Sequence, residues 1–284
     1  MTPIVEPLSW GAREAAPFIR VPGANDDKYS HGVLGVITGS SQYPGAAVLG
    51  VEAACRTGVG MLRYRGAAEP TRLVLERRPE VVTVAGKVDA FLVGSGIDPT
   101  ALDEIHVDEL SQALSSGAPL VIDAGVLARV RESTGPAIIT PHHKELVRLL
   151  ADNGLKVSAS DVAKNPSRWA CMAADEFGVT VLLKGNISHI VSEADTRGNR
   201  FHAVVPASTT WMATAGTGDV LAGILGALVA THARSIATDP AVLGSLAATA
   251  ALVHALAGSH ASAGGPLVAL DVAASISSAV AEIL

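Results

Sequence analysis

The chain has 284 residues, a formal net charge of -6 and an aromatic content of only 4%, while 49% of its residues are hydrophobic. This length suits one large α/β domain whose core consists mainly of small aliphatic side chains. The acidic balance and the absence of a long Lys/Arg cluster argue against a nucleic-acid-binding protein.

The first 30 residues contain four prolines and an Asn-Asp-Asp run, and regular hydrophobic patterning begins only after His31. We therefore predict an N-terminal extension over residues 1–30 and one main domain over residues 31–284. Residues 1–10 lack the basic segment and apolar run of a secretory signal, so the predicted location is the cytoplasm.

From residue 33 onward, short apolar segments alternate with helical patterns. The predicted strands cover residues 33–38, 61–64, 90–93, 120–122, 138–140 and 179–183. The predicted helices between them cover residues 46–57, 103–116, 144–151 and 160–177. Strands separated by helices form βαβ units, so the predicted fold class is α/β, with a mostly parallel central sheet flanked by helices on both faces.

The turns after these strands are rich in Gly, Ser and Asp. Ligands bind beyond the carboxyl ends of the strands in such sheets, so we expect five of these turns to line one common cleft. They are residues 39–41, 94–96, 123–125, 141–142 and 184–185.

After residue 215 the pattern is helical, with predicted helices over residues 218–231, 241–262 and 271–284. The apolar stretch 241–257 contains His254 and falls short of the roughly 20 strongly apolar residues that a membrane span requires. It predicts a buried helix, and we expect no membrane partner.

Glycines stand directly before an apolar helix at Gly216-Thr217-Gly218-Asp219. The free amides and the dipole at such a helix start favour an anion, and the glycines allow a phosphate to approach the backbone. A carboxylate beside a bound phosphate is suited to act as a general base, although a glycine turn with a capping aspartate is also compatible with this pattern. His142 and His143 lack a third ligand at useful spacing, so we predict no metal site built by the protein alone.

The segment Thr214-Ala215-Gly216-Thr217-Gly218-Asp219 resembles the anion-hole motif of the ribokinase-like superfamily. Its continuation through residue 228 resembles more narrowly the NAD(P)H-hydrate dehydratases. Four further motifs occur in that family's order, and together they are more specific than one glycine-rich loop. They are the turn at residues 39–47 with the helix end at 53–60, Asp123-Ala124, Thr140-Pro141-His142 and Lys184-Gly185.

The resemblance implies a lyase that removes water from hydrated NADH or NADPH and consumes ADP or ATP, with Mg²⁺ as the accompanying ion. By position it makes Asp219 the base and the amides of Gly216, Thr217 and Gly218 the groups that stabilise the transferring phosphoryl group. The implied nucleotide-binding residues are Lys184, Gly185, Asn186, Ile187, Ser188 and Gly218. Those implied for the hydrated dinucleotide are Ala46, Gly96, His142 and Asp219.

Three segments depart from the family pattern: His143-Lys144-Glu145, Gly94-Ser95-Gly96-Ile97-Asp98 and residues 207–211. A vitamin-precursor kinase of the same superfamily and a non-catalytic nucleotide-binding protein remain alternatives. The resemblance further implies a homo-oligomer, expected to be a tetramer. With about 30 residues before the main domain, we expect no epimerase domain of the kind that some relatives carry.

Overall fold

The computed structural model describes residues 6–284, and within this range nine strands form one sheet. The strands are β1 (Leu8–Ser9), β2 (Val33–Ile37), β3 (Met61–Tyr64), β4 (Ala90–Val93), β5 (Leu120–Ile122), β6 (Ala137–Ile139), β7 (Thr180–Leu183), β8 (Ile187–Val191) and β9 (His202–Pro206). Their spatial order is β1-β9-β8-β7-β6-β5-β4-β2-β3. Only the pairs that involve β8 are antiparallel, which confirms the prediction of a mostly parallel α/β sheet.

Helices cover both faces of this sheet. They are α1 (Ala12–Ala15), α2 (Pro44–Thr57), α3 (Ala68–Arg77), α4 (Glu104–Ser115), α5 (His143–Asp152), α6 (Ala159–Lys164), α7 (Pro166–Phe177), α8 (Thr217–Thr231), α9 (Ala233–Thr238), α10 (Val242–Ser262) and α11 (Ala269–Ile283). Strand β4 shows why both faces are covered: Ala90 and Leu92 join one hydrophobic cluster, and Phe91 and Val93 join the other. Side chains alternate along a strand, so an all-apolar strand requires a packed layer on each side.

Several elements differ from the sequence prediction. The single helix predicted over residues 160–177 is wrong, because α6 ends at Lys164 and α7 begins at Pro166. Proline has no amide hydrogen to continue a helix but is favourable at its first position. The β8–β9 hairpin, α3 and α9 were not predicted.

Part of the segment predicted as an extension packs onto the main domain. Strand β1 pairs with β9, and the Trp10 indole donates a hydrogen bond to Thr249 Oγ1 at 3.2 Å. The Trp10 ring also contacts Phe18 and Phe201. Residues 1–5 of the predicted extension lie outside the described residues.

Helix α10 is the one helix among residues 6–284 that is long and apolar enough to cross a membrane, by length and composition only. Two thirds of its apolar window (67%) is nevertheless buried inside the fold, where it packs on α8 and α11. Its hydropathy is therefore accounted for by its place in the core, in line with the predicted buried helix.

Helices α2 and α8 cross in close contact below the start of α8. A Cβ added at Gly223 would lie 2.2 Å from the Gly50 carbonyl oxygen and 2.8 Å from Ala53 Cβ. Glycine at this position therefore lets the two backbones approach, and the contact holds α8 against α2.

We expect Gly223→Ala to lower the free energy of unfolding by roughly 1–3 kcal/mol, although alanine is the better helix former by about 1 kcal/mol. Overpacking against a backbone carbonyl cannot be relieved by a rotamer change. Urea unfolding measures the effect, with Gly45→Ala as the control because a Cβ there meets nothing within 4 Å. Equal stability of the two variants would contradict the close crossing.

Candidate functional site

The loops at the carboxyl ends of the parallel strands meet through a chain of hydrogen bonds. The Gly39 amide donates to the Ser95 carbonyl at 2.7 Å, and Ser95 Oγ donates to Asp123 Oδ2 at 2.7 Å. The Lys184 amide donates to the Pro141 carbonyl at 2.9 Å. The five turns that were expected to line one cleft are thus brought to one edge of the sheet.

Asp123 lies at the centre of this edge and is almost fully buried. Its Oδ1 accepts hydrogen bonds from Thr140 Oγ1 at 2.7 Å and from Lys184 Nζ at 2.8 Å, and Ser95 holds the other oxygen. Burial opposes ionisation, but the Lys184 ammonium and these donors hold the pKa of Asp123 below its usual range. Asp123 is therefore an anion that fixes the position of Lys184.

Lys184 faces the start of helix α8. A Cβ added at Gly218 would lie 3.7 Å from Lys184 Nζ. Burial works to lower the pKa of Lys184, but Asp123 and Glu145 outweigh it and raise that pKa, so the lysine is charged. A cation thus lies close to the amides of a helix start, which is the arrangement expected of a phosphate site. Of these amides, that of Thr217 also donates a long hydrogen bond to the Thr214 carbonyl at 3.4 Å.

Asp219 is the third residue of α8, in the turn that Gly216 opens with a φ of 90°. Burial and the nearby Asp123 carboxylate raise the pKa of Asp219 to about 6, against the opposing effect of Lys184. None of the hydrogen bonds found in residues 6–284 uses its side chain. A carboxylate with a raised pKa and free oxygens is suited to accept a proton near neutral pH.

A cleft of about 420 Å³, here called the first cleft, opens beside this helix start. Seven of the sequence-predicted residues line it: His142, Lys184, Gly185, Asn186, Ser188, Thr217 and Gly218. Gly216, Asp219 and Ile187 are not among its lining residues. Ile187 lies between Asn186 and Ser188 on the opposite side of the strand and is 48% exposed. Apolar side chains from β9, α8 and α10 form its floor, which suits a planar base.

Two of the four residues predicted to hold the dinucleotide, Ala46 and Gly96, touch each other outside the first cleft. Gly96 has a φ of 68°, and a Cβ on it would lie 2.5 Å from Ala46 Cβ and 2.9 Å from the Tyr43 carbonyl oxygen. Beside this contact lies a second cleft of about 310 Å³, lined by Tyr43, Ile97, Asp98, Gly125, Glu145 and Arg148 among others.

His142 caps helix α5 despite the changed residues that follow it. Its Nδ1 accepts hydrogen bonds from the amides of Lys144 at 3.1 Å and Glu145 at 3.2 Å, while Glu145 Oε2 accepts from the His142 amide at 2.7 Å. This pair forms a capping box. With Nδ1 acting as an acceptor, Nε2 carries the proton and can donate to a ligand.

The other departures also have local explanations. Asp98 Oδ1 accepts hydrogen bonds from the Thr100 amide at 2.9 Å and from the Thr100 hydroxyl at 2.7 Å. The Asp98 carboxylate therefore stabilises the local turn. Thr209, Thr210 and Met212 line the first cleft, and a short 3₁₀ helix (Thr210–Met212) shapes this wall.

Sequence reasoning missed His254 as a residue of the site. It lines the first cleft from α10, and burial lowers the pKa of its imidazole to about 4. The ring hydrogen bonds to the Thr217 backbone, and Nε2 has no partner among residues 6–284. A neutral polar group inside an alanine-rich helix was the signal that could have revealed it.

Comparisons with known proteins identify the family of this chain. The model of the NAD(P)H-hydrate dehydratase family matches residues 34–278. A bifunctional NAD(P)H-hydrate repair enzyme Nnr from Mycobacterium leprae is 40% identical over 78% of this chain and 46% of its own length. The chain thus spans about half the length of the bifunctional relatives it matches.

An ADP-dependent (S)-NAD(P)H-hydrate dehydratase from Xanthomonas campestris is 30% identical over 80% of this chain and 81% of its own length. Among solved structures, an ADP/ATP-dependent NAD(P)H-hydrate dehydratase from Bacillus subtilis, co-crystallized with ATP/Mg²⁺, superposes with a TM-score of 0.80. It is 22% identical and covers 97% of this chain and 98% of its own, so this likeness establishes the fold.

Proposed function

The chain belongs to the NAD(P)H-hydrate dehydratase family, and from that premise we propose that it restores hydrated NADH or NADPH to the reduced cofactor in a reaction that consumes ADP or ATP. With ADP as the nucleotide, the other products of the proposed reaction are AMP and phosphate; one relative is named as an ADP-dependent dehydratase. The observation that supports this best is the Asp219 carboxylate, with its raised pKa, beside the charged Lys184 at the start of α8.

In this proposal the nucleotide occupies the first cleft, with its terminal phosphate against the start of α8. Asp219 accepts the proton of the ring hydroxyl, whose oxygen then forms a bond to the terminal phosphorus while the bond to the rest of the nucleotide breaks. The ring next loses this phosphate together with a proton from the neighbouring carbon, which completes the net removal of water.

Each predicted group has a defined role in these reaction steps. The amides of Gly216, Thr217 and Gly218 stabilise charge on the moving phosphoryl group, and Lys184 adds a cation on the same side. Residues Gly185, Asn186, Ile187 and Ser188 belong to the strand end that borders the nucleotide. Ala46, Gly96 and the Nε2 hydrogen of His142 position the hydrated ring.

The residues present are compatible with Mg²⁺ held mainly by phosphate oxygens. No group of three or more His, Cys, Asp or Glu side chains in residues 6–284 could hold a metal ion. The Asp123 oxygens are taken by Lys184, Thr140 and Ser95, which leaves the Asp219 carboxylate as the protein ligand. Mg²⁺ commonly binds through one or two carboxylates plus substrate phosphates, where it neutralises phosphate charge.

The decisive experiment mixes the purified protein with hydrated NADH, Mg²⁺ and either ADP or ATP. Recovery of reduced-nicotinamide absorbance together with release of one phosphate per NADH supports the proposal. A stable phosphorylated product would instead indicate a small-molecule kinase, and nucleotide binding without phosphate release would indicate a non-catalytic protein. The proposal includes a cytoplasmic homotetramer, and light scattering coupled to size-exclusion chromatography tests the assembly.

The pKa of Asp219 predicts a pH dependence. The base must be ionised, so kcat/KM should fall as the pH drops through about 6. Initial rates at low substrate concentration between pH 5 and 8 measure this limb, and a flat kcat/KM profile over this range would contradict the role of Asp219.

A further inference from the structure

The second cleft is bordered by an arginine, Arg148, that has no hydrogen-bond or ion-pair partner in residues 6–284. Arg148 lines this cleft from the exposed side of α5 and makes no hydrogen bond or ion pair within residues 6–284. Three carboxylates, those of Asp98, Glu145 and Asp152, border the same cleft. Two of them are already engaged, Asp98 by Thr100 and Glu145 by the His142 amide. Arg148 thus borders the cleft, and the five donors of its guanidinium group have no acceptor in residues 6–284.

The second cleft also lies where a long substrate would extend. Glu145 borders it and comes within 3.9 Å of Lys184 Nζ, which borders the first cleft. The two clefts thus adjoin at the Glu145–Lys184 pair. If the nucleotide fills the first, as the proposed function requires, the second is the neighbouring space into which the remainder of a dinucleotide can extend.

The walls of the second cleft are continuous with the positions that would hold the hydrated ring. Ile97 directly follows Gly96, and the Tyr43 carbonyl oxygen lies against Gly96. The Tyr43 side chain is 52% exposed, so its ring is free to stack on a base.

We propose that the second cleft holds the phosphate-bearing remote half of the hydrated dinucleotide, and that Arg148 binds one of its phosphate groups. This inference rests on the proposed function for the identity of the ligand. The phosphate is either the pyrophosphate, which both cofactors share, or the 2′-phosphate, which only NADPH carries. Arginine matches phosphate with paired N–H donors, which makes it the natural residue for this contact.

The test is calorimetric binding of NADH and NADPH to the whole protein, with AMP present in excess to fill the first cleft. For Arg148→Gln we expect roughly a tenfold or larger rise in the Kd of at least one dinucleotide, because charge-assisted hydrogen bonds are lost. A rise for both assigns the pyrophosphate, and a rise for NADPH alone assigns the 2′-phosphate. Arg148→Lys should retain part of the affinity, and the wild-type Kd should increase with salt.

The matched control is Arg129→Gln. Arg129 lies on the neighbouring 3₁₀ helix (Ala124–Glu132), is paired with Glu132 at 2.6 Å and does not line the second cleft. Its removal changes the net charge equally and should leave both Kd values unchanged. AMP binding measured alone should be the same in both variants.

Unchanged dinucleotide affinity in Arg148→Gln would overturn the inference, and so would equal losses in the Arg129 control. A wild-type protein that binds neither dinucleotide would also overturn it. The proposed function is judged separately, by recovery of NADH from its hydrate. A protein that performs this reaction with unaltered KM in Arg148→Gln would keep the function and lose the subsite.

Discussion

Replacing Asp219 by asparagine should lower turnover by roughly 10²- to 10⁴-fold while ADP still binds. Asparagine preserves the size of the side chain but cannot accept the hydroxyl proton. The amides of the helix start and Lys184 remain in place, so the nucleotide affinity should change little. Steady-state kinetics with hydrated NADH measures the first quantity, and calorimetry with ADP measures the second.

Asp219→Asn should lower activity without lowering the free energy of unfolding at neutral pH. The folded protein binds a proton on Asp219 more tightly than the unfolded chain, because the pKa rises to about 6. The free energy of unfolding therefore decreases as the pH rises from about 4 to about 6, and this loss is complete at neutral pH. The asparagine side chain carries no charge to desolvate, so Asp219→Asn should be at least as stable as the wild type at pH 7.

Asp271 provides a matched control, because it is also the third residue of a 15-residue helix, α11. If both aspartates only stabilise helix dipoles, the two asparagine variants should behave alike. We expect Asp271→Asn to retain full turnover. Similar activity in both variants would exclude Asp219 as the base.

Local sequence signals predicted the helix start at Gly216 and the turns that surround it, because these features depend only on residues that are adjacent in the chain. Glycine before an apolar run marks a helix start, and Asp219 necessarily lies in its first turn. The order of the motifs identified the family, and the parallel sheet followed from the alternation of strands and helices.

Contacts between residues far apart in the chain could not be predicted from such local signals. Asp123 and Lys184 are 61 positions apart, and their ion pair exists only because β6 lies between β5 and β7 in the sheet. The pattern placed Asp123 in a turn expected to line the cleft but did not indicate its ion pair with Lys184. The hairpin strand β8 was missed because Ser188 and His189 interrupt its apolar sequence. The second cleft was missed because its walls come from four separate turns and helices.

Removing the positive charge of Lys184 should damage both activity and stability. In Lys184→Met the Asp123 carboxylate stays buried without its ion-pair partner, since the two side chains are only 19% and 3% exposed. Breaking a buried pair from one side typically costs about 3–5 kcal/mol, and we expect a loss of this size in the free energy of unfolding. Turnover should fall at least about 10²-fold, because a cation on the transferring phosphate is lost.

The pH dependence of the free energy of unfolding shows whether the unpaired Asp123 carboxylate causes the instability of Lys184→Met. Without Lys184, burial raises the pKa of Asp123 above its unfolded value, so the destabilisation is full at neutral pH and diminishes as the pH falls and the carboxyl group becomes protonated. Lys87→Met is the control, because Lys87 pairs with Asp89 at 3.0 Å but is 71% exposed. An exposed pair contributes at most about 1 kcal/mol, so this variant should change little.

The double variant Lys184→Met with Asp123→Asn separates the two effects. It removes both charges, and the neutral asparagine can still accept hydrogen bonds from Ser95 or Thr140, so most of the lost stability should return. Turnover should not return, because the phosphate still lacks its cation. Urea unfolding and steady-state rates on the same preparations measure the two quantities. If activity recovered together with stability, Lys184 would act only by holding the fold, and the phosphate-binding role assigned to it would be wrong.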